Sequence, residues 1–62
     1  MNLANFQKMD VNMLLSIVNM KLRDEFDTLD ELCRYYDIEK GELEKKLISG
    51  NYTYNKTKNF FG

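Results

Sequence analysis

The chain contains no histidine, no proline and no tryptophan, and only one cysteine and three glycines. Cys33, being alone, excludes a disulfide within the chain, and with no histidine beside it there is no ligand set for a structural zinc ion. The lack of histidine also removes the usual general base and the usual activator of a thiol, so a catalytic or redox Cys33 is not expected. No glycine-rich phosphate loop is present, and the carboxylates are scattered where helix surfaces and caps use them, so the chain reads as no enzyme, without cofactor and without an evident small-molecule ligand. Nothing resembles a linker or a low-complexity tail. No apolar run approaches the roughly 20 residues of a membrane span. The start "MNLANFQKMD" lacks the basic and apolar regions of a signal peptide, which points to the cytoplasm. Without secretion, the glycosylation patterns Asn51-Tyr52-Thr53 and Asn55-Lys56-Thr57 are chance matches.

What is present suits one small domain over residues 1–62. Apolar residues make up 44% and charged residues 31%, a composition that folds rather than stays disordered. A chain of this length buries only about 60% of its unfolded surface, so it needs close packing or self-association. Charge is uneven. Residues 1–39 carry Lys8, Lys21, Arg23 and Arg34 against eight acids, a net of −4, and residues 40–62 carry five lysines against Glu42 and Glu44, a net of +3.

Asp10 is a good N-cap, and the breaker-free run that follows predicts a first helix over 10–26. At about 100° per residue, Val11, Leu14, Leu15, Val18, Leu22 and Phe26 form a broad core face, while Met13, Ile17 and Met20 form a second stripe on nearly the opposite side. A helix apolar on two sides is covered twice. One cover is the other helices. The second is either the N-terminal arm, residues 1–9 with Leu3, Phe6 and Met9, or a second copy of the protein.

The phrase Thr28-Leu29-Asp30-Glu31 is a capping box that opens a second helix over 28–36, with Leu29, Leu32, Cys33 and Tyr36 on one face. Asp37 stands where the chain must turn, and aspartate tolerates the left-handed conformation. Ile38 follows as a buried plug, and Leu43 and Leu47 repeat at i, i+4 in a third helix over 39–49. Gly50 closes it as a left-handed cap. In "NYTYNKTKNFFG" Tyr52 and Tyr54 lie on one side, with Phe60 on the returning limb beyond the polar turn. This predicts a two-stranded hairpin over 51–61 whose aromatic face completes the core.

The fold class is therefore mainly α, a three-helix core with a short C-terminal β-hairpin as a rudimentary wing. Residues 29–47 resemble the helix-turn-helix of phage-type repressors, with Cys33, Tyr36, Asp37, Ile38, Leu43 and Leu47 at the required places. Cys33 serves there as a small hydrophobe between helices. A trihelical core also serves proteins that never touch DNA. On the outer surface of the third helix, Glu39, Glu42 and Glu44 cancel Lys40, Lys45 and Lys46, and affinity for DNA depends on neutralised phosphates. Nucleic-acid contacts, if made, fall to Lys40, Lys45, Lys46 and the hairpin lysines Lys56 and Lys58, with Tyr52, Tyr54 or Phe61 to stack on bases.

The phrases "NMLLSIVNMKLRDEF", "LDELCRYYDI" and "YTYNKTKNFF", together with the start of the chain, resemble over nearly its whole length a family of small bacterial proteins described as a domain of unknown function. That resemblance implies a stand-alone bacterial protein and carries no activity, substrate or functional residue. The first expectation is thus a protein-interaction or structural module acting through Met13, Ile17 and Met20 or the hairpin aromatics, self-association included. The second is a DNA-binding regulator.

Overall fold

The computed structural model describes residues 3–62; residues 1 and 2 of the expected arm lie outside it. Phe6–Lys8 form one 3-10 turn, followed by α1 (Val11–Asp24), α2 (Leu29–Tyr36) and α3 (Lys40–Ile48), then β1 (Tyr54–Asn55) and β2 (Phe60–Phe61), paired antiparallel. Three helices and a two-stranded hairpin are the architecture expected, with the strands shorter than the 51–61 hairpin as a whole.

Each helix start follows its cap. The Asp10 carboxylate accepts from Asn12 and Met13 N–H at 3.0 and 3.1 Å, satisfying two of the donors that a helix leaves free. The Thr28 hydroxyl accepts from Glu31 N–H at 3.1 Å. The Glu31 carboxylate reaches one residue further back than the capping box requires, to Asp27 N–H at 3.1 Å.

The ends correct two expectations. α1 stops at Asp24 rather than continuing to 26, because Glu25 and Phe26 N–H both return to Lys21 O, at 2.8 and 2.9 Å. α2 and α3 close with the same motif. Ile38 N–H bonds Cys33 O and Asp37 N–H bonds Arg34 O, while Tyr52 N–H bonds Leu47 O and Asn51 N–H bonds Ile48 O. In this arrangement one residue sits left-handed. Asp37 does so as expected, with φ 56°, but at the end of α3 it is Asn51, φ 69°, and not Gly50. Gly50 is small for another reason: a Cβ there would meet Val11 Cγ2 at 2.9 Å and the Tyr52 ring at 3.0 Å.

The core gathers Leu14, Val18 and Leu22 from α1, Leu29, Leu32 and Cys33 from α2, Leu43 and Leu47 from α3, Leu3 and Phe6 from the arm, and Phe61 from β2. Ile38, expected as a buried plug, is only half-buried. Ile17 is 8% exposed and belongs to the core, so it leaves the second stripe. The buried face is turned toward Ile17 because Lys21 lays its aliphatic stem inward, capped by Glu25 at 3.3 Å and by the Tyr36 ring 5.3 Å from its Nζ. Such a stem covers apolar surface while the charge keeps a partner.

The arm packs against α3. Gln7 donates to the Glu42 carboxylate at 3.3 Å, and the Lys46 ammonium donates to Gln7 O at 3.1 Å. It therefore contributes Leu3 and Phe6 to the core and leaves Met13 and Met20 bare.

The hairpin register differs by one side chain from the expected one. Tyr54 pairs with Phe61 and Asn55 with Phe60, and successive strand residues face opposite ways. Phe61, only 1% exposed, is thus the core residue and Phe60 faces out.

Candidate functional site

An open groove lies between the outer face of α1 and the hairpin. Met20, Phe60, Ser16, Arg23, Asp27 and Lys58 border a groove of about 860 Å³. Met13, two turns before Met20, extends its apolar line. Exposures are 56% for Met13, 48% for Met20 and 38% for Phe60. Arg23 is held by its neighbour Asp24 through two contacts of 2.9 and 3.0 Å. That pairing lowers the Asp24 carboxyl below its usual range and raises the guanidinium. Lys58, on the opposite rim, is exposed.

Two asparagines that the sequence pattern left among surface polar residues fix this groove. Asn19 presents its side-chain amide to β2, donating to Phe61 O at 2.9 Å and accepting from Phe61 N–H at 2.8 Å. Asn59, left-handed at φ 56°, donates to Leu22 O and Phe26 O, both at 3.0 Å, and accepts from the Tyr54 hydroxyl at 2.6 Å. It thereby satisfies carbonyls at the end of α1 from the far side of the fold. Only the left-handed preference of asparagine hinted at a special role for Asn59; nothing local marks Asn19, whose partner is 42 residues away.

The five lysines named for nucleic-acid contact do not share one surface. Lys40 pairs with Asp30 at 2.9 Å, which holds the Asp30 carboxyl low and the Lys40 ammonium high. Both border a second groove of about 340 Å³ with Lys56, Glu44 and Tyr54. Lys58 belongs to the first groove, Lys46 is tied to the arm, and Lys45 is exposed on α3.

The aromatics proposed to stack on bases are engaged. The Tyr52 hydroxyl donates to Asn12 Oδ1 at 2.5 Å, the Tyr54 hydroxyl also accepts from Leu29 N–H at 3.2 Å, and Phe61 is buried. Phe60 is the most exposed of the hairpin rings.

Cys33 is buried, and the loss of solvent around it pushes its thiol up to about 11. A thiol so protected is a packing group and a poor nucleophile.

These features define a small, mainly helical domain closed by a hairpin, with a mixed groove on the outside of its first helix in which Met20 and Phe60 stand among polar side chains. The chain matches, over residues 8–61, the family described as a domain of unknown function (DUF4250), and it belongs to that family. No curated protein and no solved structure matches it. Among the described residues, no helix is long and apolar enough to cross a membrane.

Proposed function

We propose that this chain is a small, non-enzymatic, cytoplasmic bacterial protein that works by binding another protein through the groove beside α1. The observation that carries this is the bare line Met13, Met20 and Phe60, which neither the arm nor the hairpin covers. Methionine adapts to irregular partner surfaces, and Asn19 and Asn59 hold the groove's two walls at a set distance. Covering three side chains that are already about half-buried contributes roughly 1 kcal/mol each. A micromolar complex needs about 8 kcal/mol, so the polar rim of Ser16, Arg23 and Lys58 must contribute, and a reversible partner is expected rather than a permanent one.

What weighs against nucleic acid is the distribution of lysines: Lys40 and Lys46 have partners within the fold, and Lys56 and Lys58 flank different grooves. The test is affinity capture from the native cell with the unmodified chain and with Met20→Lys/Phe60→Ser, each with and without nuclease. A protein lost from the double variant and indifferent to nuclease supports the proposal. Capture that survives the double variant, or that disappears with nuclease, sinks it. Light scattering after size exclusion separates self-association from a foreign partner.

A further inference from the structure

A second exposed apolar feature lies away from the groove, where the end of α1 meets the outer flank of α2. Tyr35 is 72% exposed, more than Met13 or Met20. Its ring is nevertheless held, against Phe26 at 5.5 Å and edge-on to Tyr36 at 4.9 Å, and Phe26 in turn meets Tyr36 at 5.9 Å. An aromatic ring held in place with a bare face loses little further freedom on binding, which is why such rings dominate interfaces.

Acids outnumber bases around it, with Glu25, Asp27 and Glu31 against Lys21 and Arg34. Glu31 lies one helical turn before Tyr35, at the i, i+4 spacing that puts both on one strip of α2, and its carboxylate is tied to Asp27 N–H. Asp27 and Glu25 flank Phe26 in sequence. The two bases are drawn toward other acids. Lys21 is sequestered beneath Tyr36 and bound to Glu25, and Arg34 lies one turn after Asp30, on whose carboxyl it acts.

The fold already holds an instance of the pairing: the Lys21 ammonium rests over the Tyr36 ring with the Glu25 carboxylate 3.3 Å away. Tyr35 with Glu31 repeats the aromatic ring and the carboxylate on the outside, without the cation. The geometry points to a docking site for a basic polypeptide segment, one arginine side chain lying on the Tyr35 ring and facing Glu31. A planar guanidinium stacks on an aromatic face and meets a carboxylate through paired donors, which an ammonium does less well. Tyr35 and Glu31 lie outside the α1 groove, and Asp27 is shared with its rim.

The test is titration of the isotope-labelled full chain with a blocked hexa-arginine peptide, followed by backbone amide shifts. Shifts should concentrate at Phe26, Asp27, Glu31 and Tyr35, and hexalysine should bind several-fold more weakly. Tyr35→Leu, which keeps an apolar cover on Phe26 but has no ring, should weaken hexa-arginine about fivefold, as should Glu31→Gln. Met20→Lys should leave it unchanged. The inference is overturned if no shift occurs, if shifts spread evenly over all exposed carboxylates, or if Tyr35→Leu binds as the unmodified chain does.

Discussion

Replacing Asn59 tests how much of this fold hangs on one side chain. Asn59→Ala removes three hydrogen bonds, to Leu22 O, Phe26 O and the Tyr54 hydroxyl, each worth about 1 kcal/mol net. It also places alanine at φ 56°, where a Cβ without a compensating polar group costs roughly 1 kcal/mol more. The expected loss is about 4 kcal/mol. At roughly 0.05–0.15 kcal/mol per residue, a domain of this size has about 3–9 kcal/mol in total, so the variant should be partly unfolded at room temperature. Asn59→Gly loses the same three bonds but adopts the left-handed conformation freely, and should cost about 3 kcal/mol. Asn59→Asp keeps the shape yet turns a carboxylate toward two carbonyl oxygens, so at pH 7 it should be worse than alanine and should recover in acid as the carboxyl protonates. Urea unfolding followed by far-ultraviolet circular dichroism gives all three values. If alanine and glycine both cost under 1 kcal/mol, or if aspartate matches asparagine at pH 7, the amide does not hold the end of α1.

Other perturbations read separate features. Asp37→Gly should stabilise by about 1 kcal/mol, since glycine is free of the left-handed cost and a negative charge leaves the C-terminal end of α2; a fall in the thermal midpoint would refute the strain. Gly50→Ala should cost about 1–3 kcal/mol by forcing Val11 and Tyr52 aside, a drop of several degrees or more in a domain this small. Cys33 should react with an aromatic disulfide reagent only as fast as the chain opens. Its thiol is raised from 9.0 to about 11, so the unfolded chain ionises first as pH rises. The associated stability is complete below pH 9 and is lost between pH 9 and 11, by about 2 kcal/mol. Cys33→Ala should remove that part of the alkaline decline; an unchanged pH profile would show that burial of the thiol is not its source.

Which features were legible in the sequence depended on how local their causes are. Asp10, Thr28 and Asp37 act on backbone within a few residues, and each stands in the structure as its spacing required. The buried positions of α2 and α3 repeat at 3.6-residue intervals and were equally plain. Ile17 was misplaced because the helical wheel counts lysine as polar along its whole length, whereas Lys21 buries its stem and turns the inner face toward Ile17. Phe60 and Phe61 are chemically identical, so only the strand register, fixed through Asn19 and the Thr53–Gly62 pairing, could say which ring goes inward. The grooves are less legible still, since Met20 and Phe60 line one groove from positions 40 residues apart and the asparagines that fix its walls look like solvent-facing ones. The bare ring of Tyr35 is hidden for a similar reason: "RYY" does not say which tyrosine packs.

The amide of Asn19 has a consequence for the edge of the hairpin. A strand at the margin of a sheet offers its N–H and C=O groups to any extended segment that drifts past, which is how native domains begin to stack into fibres. At Phe61 both groups are already taken, by a side chain that belongs to a helix and cannot propagate a ladder. The outer edge of β2 is thereby closed to a visiting strand at the residue that anchors it. Asn19→Ala would reopen it, and the cost would show in storage at high concentration, as thioflavin-positive aggregate, beyond whatever stability the variant loses.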